Sequence, residues 1–138
     1  MLRDKTVKRY IYLREQGRCF YCGKRLTLKN STLDHYLPRA EEGPGQFYNL
    51  VLCCKQCNFF KQAQRPADPE EQMIRLFLRG VEDGFVEFER SVGRQRGKQL
   101  CSGIEQIVSY GKERIVFQSG DYRITAEENR VVSIKKTR

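Results

Sequence analysis

Two cysteine pairs of identical spacing, Cys19-x-x-Cys22 and Cys54-x-x-Cys57, set the strongest limit on how this 138-residue chain folds. Two thiolates of one tight turn can reach a single Zn2+ at about 2.3 Å each, and two such turns complete a tetrahedron. Cys53 offers a second register, but Cys53 to Cys57 would be C-x-x-x-C, whereas Cys54 repeats the geometry of the first pair. Cys19, Cys22, Cys54 and Cys57 are therefore expected to hold one structural zinc, with Cys53 buried on the other side of its strand. Cys101, isolated in the sequence, reads as a small buried thiol. The interval between the pairs is 31 residues, longer than the roughly 15–20 of simple four-cysteine modules. A saturated zinc of this kind contributes folding free energy and performs no chemistry. Any chemistry must lie inside the segment it clamps.

That segment reads as strand, loop, strand. "TLDHY" and "LVLCC" are short β-branched and aromatic runs, and "PRAEEGPGQFYN" between them is rich in Gly and Pro. "KQCNFFKQ" begins a helix. Before the first pair, residues from about 3 to 16 form an amphipathic basic helix with Val7, Tyr10, Ile11 and the stem of Arg14 on one face and Gly17 as its C′ stop. Past residue 65 the texture changes. Asp68 as N-cap, Pro69 at N1 and Glu70 and Glu71 in the first turn predict a helix over 69–79, interrupted by Gly80 and Gly84. "FVEFERSV" is expected to continue as helix and "VGRQRGKQ" to be a basic linker. From Ile104 onward the pattern turns to period two around Ser119-Gly120-Asp121 and Glu127-Glu128-Asn129, which predicts a three-stranded antiparallel meander. The sequence thus divides into residues 1–65, the zinc-clamped unit, and 66–138, a helical segment with a small meander.

Charge separates the same two parts. Residues 1–65 carry 13 Lys and Arg against 5 Asp and Glu, a net of +8, whereas 66–138 carry 13 against 12, a net of +1. The basic front favours a polyanion, and nucleic acid is the commonest one in a cytosol. The amino terminus "MLRDKTVKRYIYLREQG" holds no apolar run of the length a signal peptide or membrane span requires. The chain reads as cytoplasmic, without a membrane partner, and in a reducing compartment its cysteines are metal ligands or thiols rather than disulfides.

Within the clamp, "CFYCG" followed by "LDHYLPRAEEGPGQFYNLVLCCKQCNFFK" resembles an HNH endonuclease of the four-cysteine zinc type over about residues 14–62. The resemblance implies an α+β chain with a ββα-metal nuclease core. It implies that His35, the only histidine, activates water, and that Asn49 holds the imidazole or its strand. By the same resemblance Asp34 and Asn58 bind one catalytic Mg2+ or Mn2+, and DNA is cut to 5′-phosphate and 3′-hydroxyl ends. Pro44, between Gly43 and Gly45, departs from the usual Gly-Gly of that loop. The chemistry of the residues agrees with those roles. An imidazole with a reference pKa of about 6.5 is largely neutral near pH 7 and can accept a proton, and carboxylate and amide oxygens are hard ligands that suit Mg2+.

Arg9, Arg14, Arg18 and Lys61 are candidate phosphate contacts. Phe20, Tyr21, Phe47, Tyr48, Phe59 and Phe60 are expected to pack around the zinc core rather than stack on bases. Adjacent strand residues face opposite ways, so a site shared by Asp34 and His35 requires irregular backbone or a strand end at 34–37. A non-catalytic zinc-ribbon-like nucleic-acid-binding module would need only the cysteines and the charge. The back half could bind DNA, dimerise or contact a protein partner, and its near-neutral charge argues against tight DNA binding on its own.

Overall fold

The computed structural model describes residues 4–61 and 65–137 as a mixed helix and strand fold. Helix α1 (Asp4–Arg14) buries Ile11 and Arg14. It ends in a reciprocal pair of bonds, Gly17 N–H to Tyr12 O at 2.9 Å and Gln16 N–H to Leu13 O at 3.0 Å. The C′ residue is therefore Gln16, at φ 56°, with Gly17 following it at φ 67°. Gly17 is needed for space as well, since a Cβ there would lie 2.9 Å from the Tyr12 hydroxyl.

The first cysteine turn follows, closed by an antiparallel bridge between Arg18 and Arg25. Strand β1 (Thr32–His35) pairs antiparallel with β2 (Leu50–Cys53), from Thr32 opposite Cys53 to His35 opposite Leu50. Helix α2 (Lys55–Lys61) leads directly out of β2. The long connection between the strands is compacted by two single 3-10 turns, Arg39–Glu41 and Phe47–Asn49.

In the second half several sequence expectations change. Helix α3 (Pro69–Glu82) runs through Gly80 rather than stopping there. Gly80 marks a close approach, because a Cβ on it would sit 2.5 Å from the buried Phe47 ring. Asp68 precedes α3 but makes no cap bond; its Oδ1 accepts from the Tyr36 hydroxyl at 2.7 Å. "FVEFERSV" supplies a short strand, β3 (Glu87–Phe88), instead of a helix. The open edge of the last strand draws it in, through Glu87 N–H to Asn129 O at 2.8 Å and Glu89 N–H to Val131 O at 2.9 Å. The expected linker is helix α4 (Arg94–Cys101), whose basic residues face solvent while Gly97 packs on the Phe88 ring and Cys101 is buried.

The remaining strands are β4 (Ile104–Tyr110), β5 (Arg114–Ser119), β6 (Tyr122–Glu127) and β7 (Arg130–Lys136). They form one sheet in the order β3-β7-β6-β5-β4, antiparallel except for β3 on β7. Five strands therefore stand where three are expected. β4 escapes a period-two reading because its buried residues, Ile104 and Ile107, are three apart, and register shifts at Ile104/Gln106 and Ile107/Ser109 accommodate that spacing.

The larger apolar core crosses residue 65. Leu37, Phe47 and Tyr48 from the first half meet Met73 and Phe77 of α3 and Phe117 of β5 in one buried cluster. Phe47 lies at its centre, with ring contacts to Tyr10, Tyr48, Phe77 and Phe85. A smaller cluster joins Ile11, Leu26, Leu50 and Leu52 to Cys19, Cys53 and Cys54. The loop between β1 and β2 is thereby anchored at one end in the main core and at the other beside the cysteines.

Candidate active site and metal centre

The sulfur atoms of Cys19, Cys22, Cys54 and Cys57 all lie within 4.8 Å of one another. Cys22 Sγ and Cys54 Sγ are 3.8 Å apart, which equals the edge of a tetrahedron built with metal–sulfur bonds of about 2.3 Å. Backbone amides support the sulfurs: Cys54 N–H points to Cys19 Sγ at 3.5 Å and Cys57 N–H to Cys54 Sγ at 3.4 Å. Burial would raise the Cys19 thiol, but amide hydrogen bonds from Cys22, Cys54 and Tyr21 outweigh it and bring the pKa down to about 6. A group poised to be thiolate at neutral pH suits a metal ligand. Cys53 stands outside the four-sulfur group, donates to Cys54 O at 3.3 Å, and is pushed up to about 12, chiefly by burial. The four-cysteine set can thus hold one metal ion.

Inside the clamp, Asn49 is fully buried and organises the loop. Its Oδ1 accepts from Leu37 N–H at 2.9 Å, and its Nδ2 donates to Leu37 O at 3.1 Å and Pro44 O at 2.9 Å. Asn49 N–H closes its own turn on Gln46 O at 2.8 Å. The side chain therefore ties the backbone just after β1 to the Gly-Pro-Gly stretch, and its hydrogen bonds go to backbone rather than to the imidazole. Asn49→Ala would leave the Leu37 amide and two carbonyls buried without partners. At about 1–3 kcal/mol for a buried unsatisfied group, we expect a loss of about 3 kcal/mol, read as a shift of the urea midpoint. Asn49→Asp, which sets carboxylate oxygen against the carbonyls of Leu37 and Pro44, is expected to be no milder.

β1 stops at His35, with Tyr36 N–H making the last bond of the ladder to Asn49 O at 2.8 Å. His35 is half-buried, and a Cβ on Gly45 would come to 3.5 Å from its Nε2. The imidazole lines a cleft of about 800 Å³ together with Arg39 and Gly43–Gln46. Burial holds it below the ordinary histidine value, Arg39 and Lys61 push the same way, and Asp34 opposes them. A neutral imidazole at pH 7, able to take a proton, is the result.

Asp34 has other partners. Its Oδ2 accepts from the Tyr21 hydroxyl at 2.7 Å and pairs with Lys61 Nζ at 3.3 Å, while Lys61 also donates to His35 O at 3.1 Å. Asp34 Oδ1 has no partner among the described residues. Asn58 is exposed on α2, three residues before Lys61 and so on the same side of that helix. One free carboxylate oxygen and an exposed amide, both hard donors, fit a divalent cation that keeps several waters. Lys61, which bonds to Asp34 and to the β1 backbone, bridges α2 to the strand rather than standing free for phosphate.

The candidate phosphate contacts separate accordingly. Arg9 is exposed on α1, and Arg18, also exposed, donates to Gly23 O at 3.2 Å. Arg14 is a correction. Its side chain is 1% exposed and donates to Phe47 O at 3.0 Å and Leu50 O at 2.6 Å, with Glu15 as counter-ion at 2.8 Å. It fastens α1 to the loop and is out of reach of a phosphate. The aromatic expectation also divides, since Phe20, Tyr21, Phe47 and Tyr48 pack whereas Phe59 and Phe60 are 69% and 75% exposed. Tyr21, Arg39 and Gly45 were not singled out as site residues from the sequence. Tyr21 reaches Asp34 from the first cysteine turn, thirteen residues away, whereas Arg39 and Gly45 lie on the loop that follows His35 and are brought to it by the path of that loop.

No helix among the described residues is long and apolar enough to cross a membrane. Residues 19–73 match the HNH endonuclease family. Over 46 residues, 33% of the chain, the sequence is 44% identical to the CRISPR-associated endonuclease Cas9 of Corynebacterium diphtheriae, and the match covers 4% of that protein. The resemblance drawn from the "LDHYLP" and C-x-x-C stretches is therefore shown for this segment.

Proposed function

We propose that the HNH segment makes this chain a metal-dependent endonuclease that hydrolyses DNA phosphodiester bonds, by nicking or by double-strand cleavage. The observation that carries the reading is the placement of His35 at the end of β1, beside Gly45 and open to a cleft, with its pKa held low. In that state the imidazole takes the proton from a water as the water attacks phosphorus. Arg39, within electrostatic reach of His35 on the same cleft, favours the neutral imidazole and offers a cation to a phosphate oxygen.

Asp34 and Asn58 would hold a Mg2+ or Mn2+, which supplies Lewis-acid stabilisation of charge on the phosphate and the leaving 3′ oxygen. Tyr21 and Lys61 fix the Asp34 carboxylate for that task. Asn49 sets the loop against which His35 rests. Cys19, Cys22, Cys54 and Cys57 would carry a structural Zn2+ that closes the segment and takes no part in the reaction. A non-catalytic nucleic-acid-binding module would need neither a depressed imidazole nor oxygen donors beside it. Incubation of the chain with supercoiled plasmid and Mg2+ or Mn2+ should produce relaxed circles, and brief addition of a chelator should stop it. If no nicked or linear product forms with any of several divalent ions, on single- or double-stranded DNA, the reading fails.

A further inference from the structure

We propose that the turn between β4 and β5 is the second wall of the substrate site, holding one DNA strand against the His35 side of the cleft through Lys112. The inference rests on the nuclease reading above and gives the back half of the chain a part in it. On one side of the cleft stand His35, Arg39, Glu42 and Gly43–Gln46; on the other stand Tyr110, Gly111, Lys112 and Glu113. The two walls are tied directly, by Gln46 Nε2 donating to Lys112 O at 3.1 Å. The turn itself is braced by Gly111 N–H to Arg114 O and by Glu128 N–H to Glu113 O, each 2.8 Å. The backbone of Lys112 is thus held in place, while its ammonium has no partner among the described residues. The Arg39 guanidinium likewise makes no hydrogen bond or ion pair among them, although the Arg39 carbonyl accepts from Glu42 N–H at 3.0 Å. Two unpaired cations therefore stand on opposite walls of a cleft that His35 lines.

The size selects the ligand. About 800 Å³ lies in the range of about 300–1,000 Å³ that takes a ligand of small-molecule size, enough to receive roughly two nucleotides of one strand. Tyr110, on the same wall, offers a ring to a sugar or base. Glu42 and Glu113 line the same two walls, so the cleft carries two acidic and two basic side chains and no general basic field. That balance gives the proposal a sign: removing Lys112 weakens the grip and neutralising Glu113 strengthens it.

The test measures anisotropy of a short fluorescent single-stranded oligodeoxynucleotide, and of its duplex, on the full chain carrying His35→Ala to suppress cleavage. Lys112→Ala, Glu113→Gln and a charge control on β7, Lys135→Ala, are compared between about 50 and 200 mM salt. Lys112→Ala is expected to weaken single-strand binding about five- to tenfold and to reduce the salt slope by about 0.7. Glu113→Gln should tighten it about twofold, and Lys135→Ala should change little. In plasmid nicking, Lys112→Ala with His35 intact should raise KM and leave kcat within about twofold. Equal effects of Lys112→Ala and Lys135→Ala, or an unchanged salt slope, would overturn the proposal, as would tighter duplex binding with the same sensitivity to Lys112. If the unaltered chain nicks nothing while the Lys112 and Glu113 effects persist, the strand grip stands and the nuclease reading falls.

Discussion

Replacing His35 by alanine should lower metal-dependent nicking by about 10²–10⁴-fold, the usual contribution of a positioned general base, while the fold survives. The expectation of survival comes from position. His35 is the last residue of β1, half-exposed at a cleft, and no side-chain hydrogen bond of the imidazole holds another element among the described residues. What it contributes to the fold is backbone, since its carbonyl accepts from Lys61, and alanine keeps that carbonyl. Circular dichroism and the thermal midpoint should therefore match the unaltered chain, with the metal content unchanged. A variant that nicks within tenfold of the unaltered rate would remove the proton-accepting role from His35.

Replacing Cys54 by serine should have the opposite character, with loss of the bound metal and collapse of the segment it closes. Cys54 joins β2 to α2, its sulfur is 3.8 Å from that of Cys22, and the same sulfur accepts from the Cys57 amide. Structural zinc contributes apparent binding free energies of about 10–16 kcal/mol in small zinc-folded peptides, more than the roughly 5–15 kcal/mol that separates a typical domain from its unfolded state. Elemental analysis should fall from one zinc per chain to none. Amide exchange should accelerate throughout β1, β2 and α2. Cys53→Ser serves as the control, because Cys53 lies outside the sulfur cluster; it should keep its zinc and lose only the stability of a buried thiol. If Cys53→Ser loses the zinc and Cys54→Ser retains it, the ligand register is the other one.

The difference between these two outcomes follows a division already visible in the sequence. The cysteine spacing, the lone histidine beside an aspartate, and the strand–loop–strand pattern are local features, and local features are legible from residue order. The strand end at His35 was expected on simple geometric grounds. Arg14 was not legible. As a basic residue on an amphipathic helix it looks like a phosphate contact, yet its partners are carbonyls 33 and 36 residues away, and nothing in the helix itself announces them. β3 and β4 were hidden for a related reason. Two residues paired to a distant strand, and a bulged strand with buried residues three apart, are settled by the neighbours they meet and not by their own periodicity. The same holds for the wall at Tyr110–Glu113, which lies more than seventy residues beyond His35 in sequence. A basic run such as "VGRQRGKQ" resembles a linker because the solvent face of a short helix and an unstructured connection share a composition.

The placement of Phe47 and Tyr48 bears on how such a cassette could be moved between proteins. These two rings leave the clamped loop and end in a pocket built by α3 and β5. The four-cysteine cluster draws the cassette together at its base, but its apex is finished with borrowed walls. A host that receives residues 19–61 by recombination must therefore present an aromatic-sized socket at a fixed distance from the cysteine turns. Without one, two large rings are exposed to water at about 25 cal/mol for each square ångström left uncovered. Acquisition of the cassette by a new protein is in this sense a question of fit at its tip, and a host lacking the socket would carry the motif without a well-ordered loop beneath it.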